Sequence, residues 1–127
     1  MARKKTTGPT DRELAILSVL WEKGSGTVRE VHEALHQEIE TGYTTTLKLM
    51  QIMVEKGLLV REDDGRRHIY QPASSEEKTQ KQLVQDLLDL VFAGSAEKLV
   101  MRALSAKKVS PKELKRIREM IDEIEGA

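Results

Sequence analysis

Apolar residues in this chain recur at helical spacing, give way once to a short strand-like alternation, and then return to helical spacing. Leu14, Leu17, Leu20 and Trp21 fall three or four apart, with Ile16 and Val19 widening the stripe. On a helix turning about 100° per residue they share one side. Thr10-Asp-Arg-Glu13 directly precedes them, a spacing in which the threonine oxygen accepts from a first-turn amide while the glutamate reaches back. Gly24-Ser-Gly26 predicts the stop. Thr27-Val-Arg-Glu30 repeats the capping pattern, and Val28, Val31, Ala34 and Leu35 give a short second helix one apolar face. From Tyr43 to Lys56, Leu47, Met50, Met53 and Val54 cluster on one side of a third helix that Gly57 ends. Thr44, Lys48, Gln51 and Glu55 take the opposite side, with Thr45 and Ile52 on its margin.

The period then changes. Leu-Leu-Val-Arg-Glu-Asp, a turn at Asp64-Gly65, and Arg-Arg-His-Ile-Tyr-Gln before Pro72 read as a β-hairpin, because glycine takes the positive φ of such a turn without steric cost. Helices resume after Ser74-Ser75-Glu-Glu77, where Leu83, Leu87, Leu90 and Val91, flanked by Val84 and Leu88, form a stripe up to Gly94. Ser95 caps a piece carrying Leu99, Val100, Ala103 and Leu104. Ser110-Pro-Lys-Glu113 starts the next, with Leu114, Ile117, Ile121 and Ile124 at heptad-like intervals. The expected fold is therefore mainly α with a small β-hairpin. Residues 9–72 form a winged helix-turn-helix, 74–125 a three-helix dimerisation region, and 1–8 a flexible basic arm with Arg3, Lys4 and Lys5. So small a helical tail with almost no aromatic bulk buries only a marginal core by itself. A second copy of the chain, paired through Leu83, Leu87, Leu90, Val91, Leu114, Ile117, Ile121 and Ile124, solves that problem.

Composition narrows the reading. The 127 residues carry 21 basic and 21 acidic side chains, so any attraction for a polyanion must come from a local basic surface. One tryptophan, two tyrosines and one phenylalanine do not make a base-stacking platform. The absence of cysteine excludes disulfides, thiolate metal sites and a cysteine nucleophile. The apolar stretch from Leu83 to Ala93 is broken by Asp86 and Asp89 and is too short to span a bilayer. No membrane insertion is expected, and with no secretory pattern at the start the expected location is the cytoplasm.

In a helix-turn-helix the N-terminal part of the recognition helix reaches base edges in the major groove. Here that part runs from Tyr43 to Gln51. The Thr44 and Thr45 hydroxyls suit phosphates or base edges, Lys48 suits guanine and Gln51 suits adenine. Glu55 shares the face but lies where a carboxylate would repel phosphate. Arg66 and Arg67 at the hairpin tip suit phosphates or a narrow minor groove, as does the basic arm through Lys4. Specific binding is commonly about 10³ to 10⁷ times tighter than non-specific binding. Two half-sites read by a symmetric dimer reach that range where one short reader does not.

One motif points elsewhere. His32-Glu-Ala-Leu-His36 satisfies H-E-x-x-H, in which two imidazoles one helical turn apart hold zinc and the glutamate activates water. A zinc-dependent peptidase built on His32, Glu33 and His36 is thus one alternative, although His68 is the remaining histidine and lies in the hairpin, leaving no evident third ligand. The bland reading is two surface histidines on the solvent side of the second helix. A winged-helix adaptor that binds protein is the other alternative. No cofactor and no enzyme activity are expected.

Thr10-Asp-Arg-Glu-Leu-Ala-Ile-Leu, Thr27-Val-Arg-Glu-Val, Tyr43-Thr-Thr-Thr-Leu-Lys-Leu-Met, Glu55-Lys-Gly-Leu-Leu and Arg67-His-Ile-Tyr-Gln-Pro72 together resemble the penicillinase-repressor family of winged-helix regulators (BlaI/MecI type). The resemblance covers nearly the whole chain. It implies a homodimeric transcriptional repressor on a double-stranded inverted-repeat operator, often near cell-wall or antibiotic-response genes. It also implies a sensor protease as partner, since some relatives are relieved by cleavage between an asparagine and a phenylalanine in the tail. Arg102-Ala103 stands at that place here, so the same switch is not expected to carry over. The cysteine cluster of copper-responsive relatives is missing, and Ile52 replaces a basic residue that many relatives have.

Overall fold

The computed structural model describes residues 8–36 and 41–127. Among these residues six helices and one hairpin follow each other as α1 (Asp11–Lys23), α2 (Val28–His36), α3 (Tyr43–Glu55), β1 (Leu59–Asp64), β2 (Arg67–Pro72), α4 (Glu76–Leu90), α5 (Ala96–Ala106) and α6 (Pro111–Gly126). The fold is mainly α with a two-stranded antiparallel hairpin, the winged helix-turn-helix that the sequence pattern predicts.

Short-range chemistry accounts for the helix boundaries. The Thr10 hydroxyl accepts from the Glu13 amide and the Glu13 carboxylate accepts from the Thr10 amide at 2.9 Å. Thr27 and Glu30 repeat this reciprocal pair at 3.2 and 2.9 Å, satisfying donors that a helix start leaves orphaned. Ser75, Ser95 and Ser110 each accept from the amide three residues on, and Pro111 opens α6. Gly24 closes α1 at φ +92°, a conformation that L side chains rarely adopt.

The chain divides into two compact units, one up to Gln85 and one from Asp86. The first encloses the core. Ile16, Leu17 and Leu20 of α1, Val28, Val31 and Leu35 of α2, and Met50 and Met53 of α3 meet Leu59 and Tyr70 from the hairpin. Trp21 flanks this core, and its indole N–H donates to the Ser74 carbonyl at 3.0 Å. A polar contact reaches the edge of this core: Lys56 Nζ lies 2.7 Å from Glu13 Oε1, joining the end of α3 to the start of α1.

Three details depart from the expected layout. The strand register pairs Asp64 with Arg67, so the two loop residues are Gly65 and Arg66 rather than Asp64 and Gly65. Gly65 has φ +64° while Arg66 is not among the positive-φ residues. Positive φ at the first central position alone is the pattern of a II′ turn, which matches the right-handed twist of the strands. Gly26 exchanges both backbone hydrogen bonds with Tyr70, at 2.9 and 2.8 Å, so the link between α1 and α2 also acts as a one-residue third strand beside β2. Finally, α4 ends at Leu90, and Val91 follows in the turn that leads through Ala93 and Gly94, both at positive φ, to α5.

Helices α4, α5 and α6 bury no residue. Leu83, Leu90, Leu114 and Ile117 are half-buried, while Leu87, Val91, Ile121 and Ile124 are exposed, Val91 and Ile124 at 64% and 66%. Val84, Val100, Met101 and Met120 add to this uncovered apolar surface.

Candidate nucleic-acid interface

Helix α3 presents two different faces. Met50 and Met53 point into the core together with Thr46, which has no exposed surface. On the outward side Thr44, Thr45, Lys48, Gln51 and Glu55 are all exposed, as is Ile52 on the margin. The side chains predicted to read base edges therefore share the solvent face of one helix. Lys48 has no ion-pair partner among the described residues.

The hairpin brings its cations to the same region. A cleft runs between the start of α2, the start of α3 and the hairpin, and Arg29, Glu30, Tyr43, Leu47, Arg66 and Arg67 are among its walls. Arg66 occupies the turn itself. Arg67 opens β2 and sits 3.4 Å from the Asp64 carboxylate across the turn, with both side chains mostly exposed, a geometry too loose and too wet to restrain it strongly. His68 holds Asp63 at 2.6 Å on the neighbouring pair of the ladder. Lys4, with Arg3 and Lys5, lies outside the described residues.

Tyr43 opens α3 and is 41% exposed. Two side chains of α2 contact its ring. The Arg29 guanidinium carbon lies 5.5 Å over its centroid, and the His32 ring meets it edge-on at 5.6 Å and 82°. The first is a cation–π contact and the second a T-shaped pair, both attractive through the ring quadrupole. Sequence reasoning missed Arg29. The signal was present, since Arg29 follows the Thr27 cap by two residues, but only the turn of α2 reveals that it reaches α3.

The electrostatics of the cap at the cleft edge are settled by hydrogen bonding. Glu30 is held below the usual carboxylate range because it accepts from the Thr27 backbone and hydroxyl, which outweighs a small desolvation penalty.

His32 corrects the solvent-side reading of the H-E-x-x-H motif. It is half-buried, and its Nδ1 lies 3.2 Å from Thr46 Oγ1 on α3. The side chain of His36 lies outside the described residues. Among those described, no three histidine or acidic side chains gather into a metal-ligand group, and His32 is engaged with α3. Arg102 and Ala103 are exposed within α5. No described helix is long and apolar enough to cross a membrane.

Comparison with known proteins agrees with this geometry. The family model described as penicillinase repressor matches residues 9–123. The transcriptional regulator BlaI from two strains of Mycobacterium tuberculosis is 34% identical over 85 residues, covering 66% of this chain and 62% of the relative. The matched stretch thus spans less than two thirds of those relatives' length. The solution structure of the DNA-binding domain of the repressor BlaI superposes with a TM-score of 0.50 at 27% identity, covering 57% of this chain and 89% of that one. These regulators are not enzymes, which removes the peptidase alternative. The family model's extent, from the cap of α1 into α6, establishes that the chain belongs to the penicillinase repressor family.

Proposed function

We propose that the chain is a cytoplasmic transcriptional repressor that binds an inverted-repeat operator as a homodimer. The first unit reads one half-site, with Thr44, Thr45, Lys48 and Gln51 of α3 in the major groove and Tyr43 at the entry of the helix. Arg66 and Arg67 on the hairpin contact the backbone or a minor groove, and Lys4 adds a contact from the arm. The observation that carries this reading is the solvent face of α3: hydroxyl, ammonium and carboxamide side chains stand together opposite Met50 and Met53, beside a turn bearing an arginine. Such groups match the donor and acceptor pattern of the major groove.

The dimer is supported by the apolar surface of α4 to α6, on which Leu87, Val91, Ile121 and Ile124 are exposed and Leu83, Leu90, Leu114 and Ile117 only half-buried. A surface of that kind in water favours a partner with the same pattern. Regulation of cell-wall or antibiotic-response genes is the target class proposed from family membership.

Selection of duplexes from a random library, followed by sedimentation of the purified chain with and without the selected duplex, tests both parts. The expected result is a two-fold symmetric site bound by two copies, with affinity falling steeply as salt rises because neutralised phosphates release counterions. A chain that enriches no duplex sequence overturns the repressor reading.

A further inference from the structure

We infer that His32 is a positioning residue for the recognition helix, fixing the first turn of α3 through Thr46 and Tyr43. The inference rests on the proposed reading of DNA by α3, and it concerns how that helix start is held.

Five of the six helices among the described residues begin at a serine or threonine whose hydroxyl accepts from a first-turn amide: Thr10, Thr27, Ser75, Ser95 and Ser110. The exception is α3. Its cap is Gly42, which supplies no side-chain hydrogen bond, so the helix that carries Thr44 and Thr45 starts without the usual local clamp. A different device stands there. Thr46 is fully buried, and its hydroxyl donates to the Gly42 carbonyl at 3.3 Å. A hydroxyl has one proton and two lone pairs. With that proton directed at Gly42, Thr46 Oγ1 is the acceptor in its 3.2 Å contact with His32 Nδ1, and His32 must carry a proton on Nδ1.

The imidazole therefore completes a chain from α2 through Thr46 to the residue before α3. Its ring also meets the Tyr43 ring edge-on, and Arg29 covers that ring one helical turn earlier on α2. Gly42, Tyr43 and Thr46 are thus tied to α2, and Thr44 and Thr45, the two exposed hydroxyls proposed to meet DNA, lie between them. A small rotation of this turn would displace both hydroxyls from their base edges, and hydrogen-bond readout tolerates little displacement. The H-E-x-x-H pattern is in this view a coincidence of spacing, whose first histidine serves the reading helix.

The test uses His32→Ala, which removes both contacts, and His32→Asn, whose side-chain amide nitrogen stands near the place of Nδ1 and restores the donor. Thr46→Val removes the acceptor at nearly constant volume. Affinity is measured for the selected duplex and for a scrambled one, and hydrogen exchange of the Thr46 amide, which donates to the Gly42 carbonyl at 3.1 Å, is followed in the free protein. His32→Ala is expected to weaken the selected duplex about tenfold, a change of about 1.4 kcal/mol, with the scrambled duplex changed by less than about twofold. Exchange at the Thr46 amide should quicken. His32→Asn should recover most of both effects, but not in the Thr46→Val background. Unchanged exchange in His32→Ala, equal loss on both duplexes, or an Asn variant no better than Ala overturns the inference. A wild-type chain that selects no duplex removes the repressor reading instead, and the exchange measurement then decides the positioning role alone.

Discussion

Glu13 keeps only 2% of its surface exposed, yet it is an ionised partner of Lys56. Burial pushes its carboxyl upward, but the Lys56 ammonium and the Thr10 backbone amide together hold it below the ordinary glutamate range. Because folding lowers this pKa, the associated stability is complete above the unfolded-state value and drains away as pH falls through the folded one. Glu13→Gln keeps an acceptor for the Thr10 amide and loses the charge. Its expected result is a less stable protein at neutral pH, with a flatter loss of melting temperature on acidification than the parent has. At the interface, Lys48→Ala should weaken the selected duplex more than a scrambled one, while Arg67→Ala should weaken both and lower the salt slope by about one. Equal losses for Lys48→Ala on the two duplexes would make it a phosphate contact. Thr44, Thr45 and Thr46 mark how far such roles are legible in a sequence. Periodicity separates the outward Thr44 and Thr45 from the core side, but a buried threonine reads like an exposed one until its hydrogen-bond partners on another helix are known.

The elements with local causes were legible, and those with distant causes were not. Capping residues sit within three positions of the amides they satisfy, which is why the starts of α1, α2, α5 and α6 could be read directly from Thr10, Thr27, Ser95 and Ser110. The hairpin was legible from Asp64-Gly65, but its register was not, because a II′ turn centred on Gly65 and Arg66 and a turn one residue earlier use nearly the same letters. Gly26 illustrates the other case, since its strand-like pairing with Tyr70 links positions 44 apart in the chain. The turn offers a clean test. A Cβ at Gly65 would meet nothing within 4 Å, yet φ there is +64°, so Gly65→Ala should cost stability through the backbone alone. The expected loss in a denaturant titration is about 1 kcal/mol; an unchanged midpoint would mean that the turn relaxes to a different type.

For the molecule as a whole, the contrast between its parts governs behaviour. The first unit encloses Ile16, Leu20, Met50 and Tyr70, whereas α4, α5 and α6 bury nothing. Periodicity identified the stripe on these last helices, but a stripe does not say which surface covers it. If a second copy does, Ile121→Asp should give monomers, because a lone carboxylate in an apolar seam is costly to desolvate. Sedimentation equilibrium checks this, and a variant that remains dimeric would move the seam away from Ile121. Trp21 gives the chain an optical consequence of its own. It is the single indole in the sequence, and its N–H is bonded to the Ser74 carbonyl two residues before α4 begins. Ultraviolet emission from the unlabelled protein therefore reports on one anchorage, the hold of α1 on the backbone leading into α4, and a red shift on titration with duplex or heat would register its release without any introduced dye.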